Sequence, residues 1–169
     1  MSTPPAKKSR RENPYQSIQL KAVPRTGRPG SPHSFFQASF SFPNGLLEQR
    51  LHKHANGLVV VTIGTQLPPA PVDGVEYVIP APPETNAAMR RKYQGKLLKG
   101  KSVEGSVQPN DVLAELVCGN ERIPIRSGVL GMVIERNDRL QEKLVEDPLF
   151  DGYVAVIQPA GPFPPKVER

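Results

Sequence analysis

The most specific chemical signal in the sequence is a stretch that resembles a phosphate-binding loop. Gly95, Gly100, Lys101 and Ser102 follow the G-x-x-x-x-G-K-S pattern. In nucleotide-binding proteins this loop joins a buried strand to a helix, and its backbone amides hold phosphate. Here a charged segment precedes the pattern, and bulky residues separate its two glycines. This context argues against a nucleotide site.

Cysteine and histidine offer two further kinds of chemistry. Cys118 is the single cysteine of the chain, which excludes an intramolecular disulfide and a zinc site built from several cysteines. It lies in a predicted hairpin with no histidine close in sequence, which favours a structural thiol over a nucleophile. His52 and His54 share a face if they lie on a strand, but the sequence suggests no third metal ligand. We therefore predict no catalytic, cofactor or metal site.

A cluster of cations is the strongest candidate for binding a partner. It begins within a short helix predicted over residues 84–93 and contains no acid. Charge of one sign attracts acidic proteins or phosphate, and a solvated loop is the alternative interpretation. A base-stacking nucleic-acid site is poorly supported, because Tyr93 is the single aromatic residue of the cluster. The predicted contact residues are Arg90, Arg91, Lys92, Lys96, Lys99 and Lys101, together with turn residues Gly119, Asn120 and Asn137.

The net charge of +6 is concentrated at the N-terminus. Residues 1–30 contain seven cations and one acid, whereas cations and acids balance in the rest of the chain. Proline, serine and glycine are frequent there, so we predict a disordered basic tail over residues 1–43. Residues 7–11 (Lys-Lys-Ser-Arg-Arg) fit a nuclear address or a nucleic-acid patch. Nucleic acid is therefore expected to bind through the tail only.

Residues 44–160 are predicted to form one all-β domain, followed by a C-terminal tail over residues 161–169. Short β-branched runs alternate with turn residues, and Pro124 places its strand at a sheet edge. A Gly-x-Val pattern followed by Asn-Asp starts at Gly105 and recurs at Gly131, which indicates an internal two-fold relation. A short helix is predicted over Asp138–Val145. The predicted core residues are Val59, Val61, Ile63, Val107, Leu113, Leu116, Val129, Val133, Val154 and Val156.

The sequence also bears on location. No run approaches the roughly 20 apolar residues that a membrane helix needs. The N-terminus carries charges but no apolar signal segment. We therefore expect no membrane partner and a cytoplasmic protein, with the nucleus as a second location because of the basic run in the tail.

Several segments of the predicted domain resemble the Abitram (Simiate) family, whose fungal members are named for altered mitochondrial inheritance. The stretch from residue 127 to 159 also resembles the glycine cleavage H protein. Both resemblances imply a small barrel-sandwich hybrid of the kind found in biotinyl and lipoyl carriers. The segments that carry the family resemblance are His54-Ala55-Asn56, Val59–Ile63, Gly95-Lys96, Lys99-Gly100, Val112–Leu116, Ser127–Asn137 and Asp151–Val156.

The resemblance implies a non-enzymatic interaction protein. Fungal members resemble co-chaperones that act with a zinc-finger chaperone on newly made translation elongation factor 1-alpha, and these two proteins are the expected partners. Animal members are described as actin-binding transcription modulators. The alternative function is therefore a nuclear modulator that binds actin, or nucleic acid through its tail. No lipoyl or biotinyl group is expected, because the lipoyl position would fall near Val117 and no lysine lies between Asp111 and Glu142.

Overall fold

The computed structural model describes residues 15, 18, 20–23, 36–44, 47–63, 72–80, 82, 86–101, 103–140, 152–161 and 163. Within these residues the chain forms ten strands and one helix, which confirms the prediction of a mostly β protein. The elements are β1 (Lys21–Val23), β2 (Phe36–Asn44), β3 (Leu47–His54), β4 (Val59–Ile63), β5 (Gly74–Tyr77), α1 (Ala87–Leu98), β6 (Ser106–Val107), β7 (Val112–Cys118), β8 (Glu121–Arg126), β9 (Gly131–Arg136) and β10 (Ala155–Pro159).

The strands form two antiparallel sheets that share one core. The large sheet has the order β1-β2-β3-β4-β10-β9-β6, and the small sheet has the order β5-β7-β8. The small sheet places β8 at an edge, as Pro124 predicts. Leu51 and Val61 of the large sheet and Leu113 and Leu116 of the small sheet are fully buried in the same cluster. β4 lies in the middle of the large sheet, which agrees with its run of β-branched residues.

The sequence repeat corresponds to a pair of neighbouring strands. β6 and β9 pair antiparallel, with Ser106 opposite Met132 and Val107 opposite Gly131. Residues 106 and 132 occupy the same position in the two copies of the repeat. A local two-fold axis therefore passes through this residue pair and relates the two copies.

One side-chain bridge, which we call the Gln49 seam, joins β3 of the large sheet to β8 of the small sheet. The buried Gln49 amide donates from Nε2 to the Arg126 carbonyl and accepts from the Arg126 N–H, each at 2.8 Å. Asn44 donates to the Pro124 carbonyl at 2.5 Å. Since Pro124 has no N–H, these contacts occupy much of the edge that β8 presents to another strand.

A second bridge, the Tyr77 seam, joins β5 of the small sheet to the end of β9 and the start of β10 in the large sheet. The Tyr77 hydroxyl lies 2.8 Å from the Asn137 carbonyl and 2.9 Å from the Val154 carbonyl. The Arg136 guanidinium lies over the Tyr77 ring, 5.0 Å from its centroid. The two bridges thus attach both edge strands of the small sheet, β8 and β5, to the large sheet. The shared core lies between these two attachments.

The folded body extends beyond the predicted domain limits at both ends. β2 lies within the predicted tail over 1–43, and its Phe42 is 3% exposed in the core. Phe163 lies within the predicted tail over 161–169 and packs edge-to-face on Phe40, with ring centroids 5.4 Å apart. Aromatic side chains bury a large area each, so a few of them hold segments whose average composition predicts disorder.

Nine of the ten predicted core residues are buried, and Val156 is half-buried. Alternation from Val154 predicted Val156 on the inner face. The strand instead begins at Ala155, and Ala155 and Ile157 face the core. The helix predicted over Asp138–Val145 lies outside the described residues from position 141 onward, whereas Leu140 is buried. Among the described residues, no helix has the length and apolar character needed to cross a membrane.

Candidate functional site

The cationic cluster lies on α1, which continues beyond the helix predicted over residues 84–93. Asn86 caps its start, because the side-chain oxygen accepts the Met89 N–H at 2.8 Å. Tertiary contacts hold the later turns. Leu97 packs with Met132 and Ala160, and Gln94 donates to the Pro159 carbonyl at 2.8 Å. These contacts outweigh the low helix propensity of glycine at position 95.

The end of α1 explains the likeness to a phosphate-binding loop. Gly100 has a φ of 77° and follows the C-cap residue Lys99. The Lys101 N–H donates to the Lys96 carbonyl, and the Gly100 N–H donates to the Leu97 carbonyl, each at 2.9 Å. This pattern is a Schellman motif, which requires a left-handed residue that glycine supplies. The second glycine of the pattern therefore ends a helix, whereas a phosphate-binding loop precedes one.

Most of the cluster is exposed on the outer side of α1. Lys92, Lys96 and Lys99 are spaced i, i+4 and i+7, so they share one helix face. That face points away from Leu97, which is 5% exposed. Arg91, Lys92, Lys99 and Lys101 are exposed, and Arg90 and Lys96 are half-buried. None of the six cations forms an ion pair with a residue that the structure describes.

The cations act on the intrinsic stability of α1 in both directions. Lys96 lies in the last turn, where the negative end of the helix dipole favours a cation. Like charges at Lys92 and Lys96 destabilise an isolated helix by a few tenths of a kcal/mol, roughly as much as an opposite-charge pair would stabilise it. Arg90 and Arg91 lie near the positive end of the helix dipole, and the first turn contains no acid. The Arg90 Nε is buried without a hydrogen-bond partner among the described residues. The cations of α1 are thus uncompensated within the described part of the chain.

The aromatic residue of α1 offers no free stacking surface. Tyr93 is half-buried and packs against the cluster of Leu97 and Met132. The Lys96 ammonium lies over its ring, 5.9 Å from the centroid. Single-stranded nucleic acids are usually bound by exposed aromatic faces between cations. The surface therefore suits an acidic polypeptide better than a nucleic-acid base.

Gly119 and Asn120 lie on a different part of the molecule from α1. They form the exposed two-residue turn of the β7–β8 hairpin, as the sequence predicts. Gly119 has a φ of 61°, as at the first position of a type II′ turn. The Asp73 carboxylate accepts the Gly119 N–H at 2.8 Å. This hairpin belongs to the small sheet, whereas α1 packs on β9 and β10 of the large sheet.

Asn137 differs from the exposed turn residue that the sequence predicted, because it is 7% exposed. Its side chain donates to the Tyr153 carbonyl at 2.9 Å and accepts the Arg139 N–H at 3.1 Å. Its own carbonyl is an acceptor in the Tyr77 seam. Asn137 also follows the end of β9, whereas α1 packs near the start of that strand. The amide of Asn137 therefore supports the fold and lies away from the α1 surface.

Two tyrosines, Tyr77 in the seam and Tyr153 beside it, have raised pKa values. Burial raises the pKa of Tyr77 to about 12, although the hydrogen bond to the Asn137 carbonyl and the charge of Arg136 act in the opposite direction. Burial also raises the pKa of Tyr153, and the Glu135 carboxylate, which accepts the Tyr153 hydroxyl proton, raises it further. Both phenols are therefore neutral at physiological pH and act as hydrogen-bond donors.

His52, His54 and Cys118 each have a structural environment. His52 is 1% exposed, and its ring nitrogens lie 2.7 Å from the Ser39 hydroxyl and 3.1 Å from the Thr62 hydroxyl. His54 accepts the Asn56 N–H at 3.2 Å. No group of three metal-ligating side chains occurs among the residues that the structure describes. Burial raises the pKa of the Cys118 thiol, which lowers its thiolate fraction and its reactivity.

The structure adds three residues that sequence reasoning did not associate with this surface. Met89 and Leu98 are exposed apolar side chains of α1, at 39% and 57%. Tyr15 reaches Leu130, which packs beside α1. Met89 lies within the helix predicted over residues 84–93. The helical period would also have placed Leu98 on an outer face if the helix had been predicted as far as residue 98. No sequence signal connects Tyr15 with position 130.

Comparison of the sequence with models of known protein families and with curated proteins finds no match.

Proposed function

We propose that this chain is a non-enzymatic adaptor that binds another protein through the outer face of α1. The observation that carries the proposal is a set of cations on that helix that have no ion-pair partner among the residues the structure describes. The neighbouring cations of this face repel one another, and an anionic partner would relieve that repulsion. Electrostatic complementarity of this kind also speeds encounter and selects partners.

The rest of the body is suited to presenting such a surface. The Gln49 seam and the Tyr77 seam connect the two sheets with hydrogen bonds that leave their buried polar groups paired. α1 packs on this body through Leu97 and Gln94. A helix fixed to a closed sheet structure loses little conformational entropy on binding, which favours affinity.

For the client, we propose newly made translation elongation factor 1-alpha, bound together with a zinc-finger chaperone. The support is the resemblance to the Abitram (Simiate) family. The segments that carry it include all of β4 and all of β9, which lie in one sheet on either side of β10. This placement and the local two-fold axis at Ser106 and Met132 support a barrel-sandwich hybrid body. Action in the cytoplasm belongs to the same proposal.

The test is crosslinked affinity purification of the full chain from cells, with quantitative mass spectrometry of the captured proteins. The variant Lys92→Glu/Lys96→Glu reverses two charges of α1. The control Lys21→Glu/Lys53→Glu makes the same change in net charge on β1 and β3, which lie on the far side of the large sheet from β9. We expect capture of the elongation factor to fall at least about tenfold in the first variant and to change little in the second. Absence of the elongation factor from the wild-type capture would refute the client, and equal capture by both variants would refute the role of α1.

A second candidate function, nuclear transcription modulation through actin or nucleic acid, is favoured by the charge of residues 1–30. Binding of RNA or DNA through phosphate contacts weakens steeply with salt. A salt titration of the full chain, compared with a chain lacking residues 1–14, measures this contribution and leaves Tyr15 and β1 in place. Loss of salt-dependent binding on truncation supports the second function, and unchanged binding rejects it.

A further inference from the structure

We propose that Leu98, at the end of α1, is an apolar anchor for an acidic polypeptide, which packs an apolar side chain of its own on Leu98. The inference rests on the proposed function, because the anchor belongs to the α1 surface. It adds the chemistry of the partner and the position of the contact that selects it.

Leu98 is exposed although it lies beside the residue that holds α1 on the body. Leu97 is 5% exposed and packs with Met132 and Ala160. Leu98 is 57% exposed, more than any other large apolar residue that the structure describes. Attachment of the helix to the sheet therefore depends on Leu97, and more than half of the Leu98 surface is available to another molecule.

The surface next to Leu98 is formed by a glycine. A Cβ at Gly161 would lie 3.3 Å from the Leu98 Cδ2 atom, so the two residues are neighbours across the chain. Because position 161 has no side chain, Leu98 borders on backbone there. Gly161 follows Ala160, which belongs to the buried cluster under α1. An incoming apolar side chain can therefore contact Leu98 and the backbone of Gly161 together.

Cations border this apolar position. Lys99 follows Leu98 directly, and Lys101 is held at the helix end by the hydrogen bond from its N–H to the Lys96 carbonyl, at 2.9 Å. Both lysines are exposed, and neither forms an ion pair with the acid nearest in sequence, Glu104. The negative end of the helix dipole amounts to about half a charge, which two full cations outweigh. The surroundings of Leu98 therefore attract carboxylates.

Both components of this surface fit a polypeptide. Protein–protein contacts typically combine an apolar centre with a charged rim, and complementary charge selects the partner. A single-stranded nucleic acid offers phosphates to the cations, but its bases bind by stacking on aromatic rings. The aromatic ring of α1, Tyr93, is half-buried and lies beneath the Lys96 ammonium. Carboxylates around an apolar side chain thus match the surface better than a nucleic acid does.

The experiment measures binding of two fluorescein-labelled peptides to the full chain by anisotropy. Both have about 12 residues and equal numbers of glutamates, with serine at the other positions of the first and leucine at some of these positions in the second. We expect the leucine peptide to bind about five- to tenfold more tightly, which is the effect of partly burying a leucine side chain. The preference should persist when salt is raised from about 50 mM to about 500 mM, because salt screens charge and leaves apolar contacts in place.

The anchor is tested without changing any charge. In Leu98→Ala the preference for the leucine peptide should fall below about twofold. Met89→Ala is the matched control, because Met89 is an exposed apolar residue near the other end of the same helix, and it should keep the full preference. Lys99→Gln/Lys101→Gln should weaken binding of both peptides about three- to tenfold and leave their ratio unchanged. Thermal unfolding checks that each variant is folded.

The outcomes separate this inference from the proposed function. A full preference in Leu98→Ala overturns the anchor and leaves α1 as the contact of the adaptor. An equal loss of preference in Met89→Ala overturns the position of the anchor. Loss of preference in Leu98→Ala alone, together with failure to capture the elongation factor, supports the anchor and rejects the client.

Three further outcomes concern the chemistry of the partner. A Lys99→Gln/Lys101→Gln variant that binds both peptides like the wild type overturns the acidic class. A single-stranded RNA of equal charge that binds more tightly than the leucine peptide overturns the choice of a polypeptide. A wild-type chain that binds neither peptide overturns the inference as a whole, whereas capture of the elongation factor decides the proposed function separately.

Discussion

The two seams and α1 use polar residues in opposite ways. In the two seams, the buried Gln49 and the half-buried Tyr77 form hydrogen bonds with backbone groups of distant segments of the same chain. On α1, exposed cations have no ion-pair partner in the described part of the chain. The difference indicates which residues hold the fold and which are available to another molecule. Changes in the seams should reduce stability, whereas changes on α1 should alter binding.

The largest loss of stability is expected for Gly131→Ala in β9. A Cβ at this position would overlap the Gln158 carbonyl oxygen of β10. Relief requires the backbones of two paired strands to separate, so we expect a loss of about 3 kcal/mol in the free energy of unfolding. Urea denaturation measures it. A loss below about 1 kcal/mol would show that β9 and β10 are less closely packed than described.

The next largest loss is expected for Gln49→Ala. The substitution leaves the Arg126 N–H and carbonyl without their side-chain partner, and each unsatisfied buried group costs about 1–3 kcal/mol. Because Arg126 is half-buried and water reaches it in part, we expect a total loss of about 2–3 kcal/mol. Gln108→Ala, at an exposed position, is the control and should change stability by less than about 0.5 kcal/mol. Equal effects of the two substitutions would contradict the Gln49 seam.

Tyr77→Phe tests the other seam and its dependence on pH. At neutral pH we expect a loss of about 1–2 kcal/mol, because two carbonyls lose their donor. The folded-state pKa of about 12 lies above the ordinary value of 10.0, so the stabilisation is complete below pH 10 and is lost as pH rises toward 12. Urea denaturation across this range should therefore show the wild type and Tyr77→Phe converging in stability. A constant difference between them would reject the buried phenol as its cause.

The smallest stability effect, of opposite sign, is expected for Gly95→Ala on α1. Among the described residues, a Cβ at this position would meet no atom within 4 Å outside the neighbouring backbone of α1 itself. Alanine has a higher helix propensity than glycine, so we expect a gain of about 0.5–1 kcal/mol in the free energy of unfolding and unchanged capture of the elongation factor. Together with Gly131→Ala it forms a matched pair, since the same substitution should destabilise a strand and stabilise the helix. A loss of stability would indicate that α1 is more closely covered than described.

Much of the fold follows from local patterns. The glycine-bounded run at β4, the hairpin at Gly119 and the repeat at Gly105 and Gly131 each predicted an element that the structure contains. Nine of the predicted core residues are buried for the same reason, since β-branched and leucine side chains of alternating strands face inward. Patterns of this kind depend on neighbours in sequence, so one sequence suffices to identify them.

The candidate site was predicted only in part. The charge of α1 was evident from composition, but its helical form beyond residue 93 depends on contacts of Leu97 and Gln94 with residues more than 30 positions away. Asn137 was expected at an exposed turn, and its burial depends on partners from β5 and from the segment before β10. Sequence separation hides such contacts, because no local pattern encodes which distant carbonyl a side chain will meet.

The sequence by itself determined that this is a mostly β chain with a cluster of unbalanced cations, because strand periodicity and charge are properties of neighbouring residues. Tertiary structure decided that the helix continues through the cluster to Leu98, that Phe42 and Phe163 belong to the core, and that Tyr15 lies against Leu130. The physical reason is that burial and hydrogen bonding across long separations outweigh local preferences of a few tenths of a kcal/mol per residue.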